Sequence, residues 1–345
     1  MFIQKNLTFK GVMLFTGWHI IWISIWATIV AALYHYTSFK NVTISWLPIS
    51  VIGTAVAFYV GFKNNQAYDR LWEARKIWGG IVNSSRAWGS VSRSFVSDQF
   101  TERGAGEPVL HASHKKIIYR HIAWLYSLRS QLLIPTPWEH INQSKSIQIQ
   151  TKRRMRKIGV GLVDDVVTGE ELREHLPANE YERLINAKNT ATQIIDQQSQ
   201  ELKELRKADL IDDFRHMEMQ GILNELYALQ GKCERIKKFP LPRQYGGMSV
   251  IFVGLFIVLL PFGMASEFIE LGAIGMCLSV LFTVIVGWVY MVMELVGDYS
   301  ENPFEGLGND IPMLSLCRTI EIDLKEMLGE DNIPPAVQSK NGVLM

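Results

Sequence analysis

Four stretches of the chain are apolar on every side, while the remainder mixes apolar and polar positions at helical spacing. Residues 11–36, GVMLFTGWHIIWISIWATIVAALYHY, hold no ionisable side chains beyond two histidines and two tyrosines. Residues 45–62, 246–265 and 272–293 contain no Asp, Glu, Lys or Arg. The run at 45–62 is near the lower length limit for crossing a bilayer; the others exceed it. Buried core helices of a soluble protein do not account for four such runs, so the pattern predicts four transmembrane helices. The first run follows a basic flank, MFIQKNLTFKG, as a signal peptide would. It is too long for a signal h-region and lacks an A-x-A cleavage site, so it reads as a retained span.

Between the second and third runs the period becomes amphipathic. Residues 64–98, 113–131 and 192–237 place apolar side chains three and four apart, which predicts helices with one buried face. In the last, Phe214, Ile222, Leu226 and Leu229 belong to that stripe. The polar, basic segment SKSIQIQTKRRMRK (144–157) reads as a surface excursion, either a solvated loop or a basic patch on anionic lipid. No strand-rich region and no internal repeat is evident. The expected architecture is all-α: transmembrane helices 1 and 2 in 1–62, a helical cytoplasmic domain in 63–245, transmembrane helices 3 and 4 in 246–293, and a cytoplasmic C-terminal segment in 294–345.

Charge sets the orientation. Lys5 and Lys10 precede the first run; Lys63, Arg70, Arg75 and Lys76 follow the second; Lys237, Lys238 and Arg243 precede the third. The short connections hold Lys40 alone in one case and only acids in the other. The positive-inside rule then puts both termini and the central block in the cytoplasm. A net charge of +1 offers no electrostatic case for nucleic acid. Cys233, Cys277 and Cys317 are scattered, without a disulfide or zinc pattern. No GxxxxGK[ST], HExxH or GxSxG motif occurs, which disfavours the common enzyme classes, and no cofactor is implied. His111, His114 and His121 read as surface residues of a helix more readily than as metal ligands. The absence of Asp, Glu, Lys and Arg from the spans argues against a proton-driven transporter.

Two spans carry a pattern of their own. Trp18, Trp22 and Trp26 recur every fourth residue on the first, a row too deep for an interfacial belt. It fits packing between helices, with a ligand-stacking face as the alternative. Ser50, Thr54, Phe58 and Phe62 share one face of the second at i, i+4, i+8 and i+12. Gly53, Ala55 and Ala57 beside them permit close helix approach. Copies of this helix around an axis would stack uncharged rings that act on permeation by size and wetting. Aromatic edges carry partial positive potential and tolerate anions. The same spacing also fits phenylalanines that pack against neighbouring spans.

The run GFKNNQAYDRLWEARKIWGGIVNSSRAWG (61–89) resembles the signature of bacterial bestrophins, as do PLP at 240–242, ENPFEGLGNDIPM at 301–313 and LNELYALQGKCERI at 223–236. The similarity spans nearly the whole chain and is weakest at about 140–180. Membership implies a homopentameric channel in the bacterial inner membrane, surrounded by lipid, with one axial pore. The family's hydrophobic neck carries over to Thr54, Phe58 and Phe62, with Thr54 in place of a larger apolar residue. Its cytoplasmic aperture carries over to Met217, between Arg215 and Glu218 within one residue. Animal relatives bind calcium after the fourth span. Here the consecutive acids are missing, and a site would need Asp298, Glu301, Glu305 and Asp310 to converge, so a helix-terminating turn is favoured. Chloride is the family-level expectation, with monovalent cations such as sodium, or a non-conducting receptor or scaffold, as alternatives. On this reading 61–80 continues the pore helix beyond the bilayer, with Tyr68, Trp72 and Trp78 packing into the cytoplasmic body.

Overall fold

The computed structural model describes residues 1–345 except Leu7, 38–43, Arg103 and 159–166. At Lys10, Arg154, Lys157, Ile158, Val167 and Thr168 it describes the backbone alone. Lys40 therefore lies outside the described residues. Among those described, the chain is helical with no strand, only isolated bridges that link Phe2 and Lys340 to Val343. The helices are α1 (Phe9–Tyr36), α2 (Trp46–Phe95), α3 (Glu107–Leu133), α4 (Lys145–Ile158), α5 (Val167–His175), α6 (Ala178–Ile185), α7 (Thr190–Lys207), α8 (Asp213–Lys238), α9 (Arg243–Phe268), α10 (Gly272–Asp298) and α11 (Met313–Leu328).

Three stretches are long and apolar enough to cross a membrane: Gly11–Tyr36, Trp46–Phe95, and Asp213–Asp298, the last containing both α9 and α10. Two compact units result. One comprises residues 4–71 and 240–302, the other residues 1–3, 72–239 and 303–345.

The first unit packs α1, α9 and α10 against the N-terminal part of α2. Its core is Ile23, Ile49, Val56, Val60, Val253, Phe256, Ile257 and Leu260, hydrocarbon surfaces that fit together by close packing. Glycines set the separation. A Cβ at Gly53 would stand 2.7 Å from the Phe256 ring, and one at Gly263 would stand 2.7 Å from Ile49. α1 begins at Thr8, whose hydroxyl accepts from the Gly11 amide at 3.2 Å. The tryptophan row does not act as one face. Trp26 donates to the Val258 carbonyl at 3.1 Å and Trp22 packs on the core, whereas Trp18 is exposed. Two steps of four residues drift round an ideal helix, so the first ring leaves the buried side.

The second unit is organised around α3, which packs against α5, α7, α8 and α11. From Ile117 to Arg129 nearly every α3 side chain is buried, Arg120 and His121 included. The surface reading of the three histidines thus holds for His111 only: His114 is half-buried and His121 is enclosed. His121 meets the Ser85 hydroxyl at 2.9 Å, and burial pushes its pKa down to about 3.

The helix expected over 192–237 is two helices. α7 closes on Ala208 and Asp209, the latter at φ 50°, and Asp212 opens α8 by accepting from the Arg215 amide at 2.7 Å. This restart turns the α8 face: Met219, Leu223, Leu226 and Cys233 are buried, Ile222 is half-buried, and Phe214 is exposed. The basic segment at 144–157 is not a loop but lies in and beside α4, with Thr151 and Met155 buried one turn apart. Tyr68 and Trp72 are exposed on this chain, while Trp78 is buried as expected.

Candidate functional site: the exposed face of the second helix

α2 runs 50 residues without interruption. Nothing at the change from apolar to polar sequence breaks it: Lys63 and Gln66 are good helix formers, and Asn64 and Asn65, though weaker ones, are far milder than Gly or Pro. One side faces inward: Ile49, Gly53, Val56, Val60, Lys63, Ala67, Ala74 and Trp78 are buried. The other side is open. Val51, Thr54, Phe58, Phe62, Asn65, Asp69, Trp72 and Lys76 follow one another at three- and four-residue steps, and all are exposed.

Phe58 and Phe62 are 66% and 65% exposed, their ring centroids 6.4 Å apart and tilted by 35°. Neither phenyl packs into the core of its own chain. The Thr54 hydroxyl donates to the Ser50 carbonyl at 2.9 Å, and Ser50 in turn donates to the Leu47 carbonyl at 2.8 Å. Both donors are spent within the helix, so this face offers permeating water less polarity than its residue names imply. Ser50 is half-buried and marks the edge of the stripe.

The inward side explains why the phenylalanines face out. Tyr290 donates to the Gly53 carbonyl at 3.0 Å, and Asn64 donates to the Met293 carbonyl at 3.0 Å, so α10 grips α2 at two levels. Between these levels and the polar extension lies a feature that sequence reading missed. Lys63 pairs with Glu294 at 2.5 Å, each side chain 1% exposed, and Ser249 also donates to Glu294 at 2.8 Å. The two charges lie one residue beyond the apolar runs at 45–62 and 272–293, so each alone looks like a flanking charge. Their symmetric placement at the run ends was the available signal.

Met217 is 75% exposed on α8, one turn beyond Phe214, and belongs to the other unit. Arg215 beside it donates to the Phe95 carbonyl and the Ser97 hydroxyl, both at 3.0 Å, tying the start of α8 to the end of α2.

Three of the four carboxylates considered for calcium have other partners. Asp310 accepts backbone N–H bonds from Phe304, Gly306 and Ile311 at 3.0, 2.8 and 2.7 Å. It thereby closes a turn in which Phe304 takes φ 70° and Gly306 φ 81°. Burial raises the Asp310 pKa, against those three bonds, which lower it. Glu305 accepts from the His140 amide at 2.6 Å and meets its Nδ1 at 3.0 Å. Glu301 meets Arg243 at 3.5 Å in the unit that also holds Asp298.

These features coincide with a sequence match. Residues 8–326 match the family described as Bacterial/Fungal Bestrophin protein. The chain belongs to the bestrophin family. Among curated relatives of this bestrophin is the voltage-dependent anion channel-forming protein YneE of Escherichia coli K12, 25% identical over 290 residues, 84% of this chain and 79% of the relative. Another is the voltage-dependent anion channel-forming protein RSc3414 of Ralstonia nicotianae, 26% identical over 293 residues, 85% and 80% of the two chains. Among solved structures, a bacterial bestrophin homologue from Klebsiella pneumoniae superposes with a TM-score of 0.71 at 23% identity, covering 91% of this bestrophin and 99% of that chain. At that identity the likeness is one of fold.

Proposed function

We propose that this bestrophin is a passive anion channel of the bacterial inner membrane, with chloride as its principal ion. Five copies gather around one axis, each contributing the exposed face of α2. α1, the first part of α2, α9 and α10 are the four spans, so that residues 1–62 and 246–293 form the membrane part. Residues 63–245 and 294–345 lie in the cytoplasm, together with the N-terminus. Thr54, Phe58 and Phe62 form successive rings of a hydrophobic neck, and Met217 forms a second narrow ring.

The observation that carries this reading is the two-sidedness of α2. Its glycine side is locked to α9 and α10, and its aromatic side is left open on a single chain. An exposed apolar stripe of this length is a surface for assembly or permeation. The names of the curated relatives point to anions, and phenyl edges turned inward would suit them.

Purified protein in planar bilayers under asymmetric sodium chloride tests the proposal. The reversal potential lies near the chloride equilibrium potential if anions carry the current; a value near that of sodium makes this a cation channel of the same form. Phe58→Ala and Phe62→Ala each raise single-channel conductance several-fold or remove closures. Unchanged currents in both would remove the neck from α2. Native mass spectrometry gives five chains per particle, whereas a monomer without flux would favour the receptor or scaffold reading.

A further inference from the structure

Away from the α2 face, three buried ligand atoms lie close together outside any well-aligned hydrogen bond: Glu171 Oε2, His175 Nε2 and Glu321 Oε1. The ligand groups lie within 4.8 Å of one another where α5 meets α11, inside one compact unit. The side chains of His175 and Glu321 are fully buried and that of Glu171 is 10% exposed.

Their neighbours orient them. His175 Nδ1 meets the Glu171 backbone carbonyl at 2.7 Å, so Nδ1 donates there and, in the neutral ring, Nε2 presents a bare lone pair. That lone pair faces Glu321 Oε1 at 3.4 Å. Two lone pairs buried face to face repel unless positive charge meets them, and the Lys325 ammonium, 2.8 Å from Glu321 Oε1, meets one of the two. A shared proton would draw the atoms to roughly 2.7–2.9 Å. Two ligands each about 2.0–2.2 Å from a tetrahedral zinc stand roughly 3.3–3.6 Å apart, which matches the observed gap.

The remaining carboxylate oxygens are held from behind. Arg318 reaches Glu171 Oε1 at 2.6 Å and Glu321 Oε2 at 3.1 Å, and the Tyr126 hydroxyl donates to Glu321 Oε2 at 2.7 Å. Glu171 Oε2 then lies 3.6 Å from His175 Nδ1 and Glu321 Oε1 3.4 Å from Nε2, so both carboxylates face the imidazole. Lys325 Nζ is the one competitor, 2.8 Å from Glu321 Oε1, and it has a second acid within reach, Glu174 at 3.4 Å. Glu174 is 58% exposed, so a cation arriving at Glu321 can shift the ammonium toward solvent without stranding it.

We propose that Glu171, His175 and Glu321 form a site for one divalent transition-metal ion, zinc by ligand type, that ties α5 to α11. One imidazole and two carboxylates suit a borderline cation and not calcium or magnesium, which take oxygen shells. A fourth position is left to water. The site lies outside the proposed neck, and its test does not depend on ion conduction.

The test uses full-length protein in detergent, stripped by a chelator and titrated with cobalt(II), with zinc as competitor. The wild type develops visible absorption of a four-coordinate cobalt centre at one equivalent per chain, and zinc removes it. His175→Gln loses the bound equivalent, whereas the double variant His111→Ala/His114→Ala, away from this cluster on α3, retains it. The wild-type titration requires no folded variant. Absence of a saturable site in the wild type overturns the proposal. Loss of binding in the His111/His114 variant, with retention in His175→Gln, overturns it equally.

Discussion

Replacing Lys63 by Met tests what the buried pair contributes to the first unit. The ammonium stands 2.5 Å from Glu294 Oε1, both side chains are 1% exposed, and the second carboxylate oxygen has no hydrogen-bond partner. In Lys63→Met the Glu294 charge would keep only the Ser249 hydroxyl at 2.8 Å. Breaking a buried pair from one side costs about 3–5 kcal/mol, chiefly because an unpaired charge remains. Unfolding entropy of about 2.1 cal/mol/K per residue makes that a fall in Tm of roughly 4–7 °C for a chain of this length. Lys63→Met/Glu294→Met removes both charges and should recover most of the loss, since well-packed apolar replacements of buried pairs are near neutral. Tryptophan fluorescence during a thermal ramp in detergent reads each Tm. A single variant that melts within a degree of the wild type would refute the reasoning. So would a double variant that melts as low as the single one.

Three further outcomes follow from the other unit. His121 titrates at about 3 in the folded chain because burial disfavours its charged form, and near 6.5 when unfolded. Below about 6.5 the unfolded chain alone takes up the proton, so stability falls as pH falls; between pH 6.5 and 5 the loss from this group is about 2 kcal/mol. His121→Asn should start less stable, through its altered bond to Ser85, yet decline less steeply with acid; parallel declines would dismiss His121 as the cause. Asp310→Ala strands three buried backbone donors and should destabilise by roughly 3 kcal/mol or more, seen as a lower Tm. Added calcium should leave the wild-type Tm unchanged, because Asp310 and Glu305 are already engaged; a rise of several degrees would restore the calcium clasp.

Much of the molecule could be read directly from the chain. Four charge-free runs and the helical period between them imply an all-α membrane protein, because hydrocarbon demands that backbone polar groups be satisfied within a helix. The i, i+4, i+8 spacing places Thr54, Phe58 and Phe62 on one face by geometry alone. Spacing cannot say which way that face turns. The direction is decided by Gly53 against Phe256, by Tyr290 on the Gly53 carbonyl and by Asn64 on α10, contacts between residues 203 or more positions apart. Lys63 and Glu294 are separated by 231 positions, and Glu171 and Glu321 by 150. Local sequence shows each as an ordinary surface charge. Only the fold removes water from around them, and burial then makes the partner of each group matter.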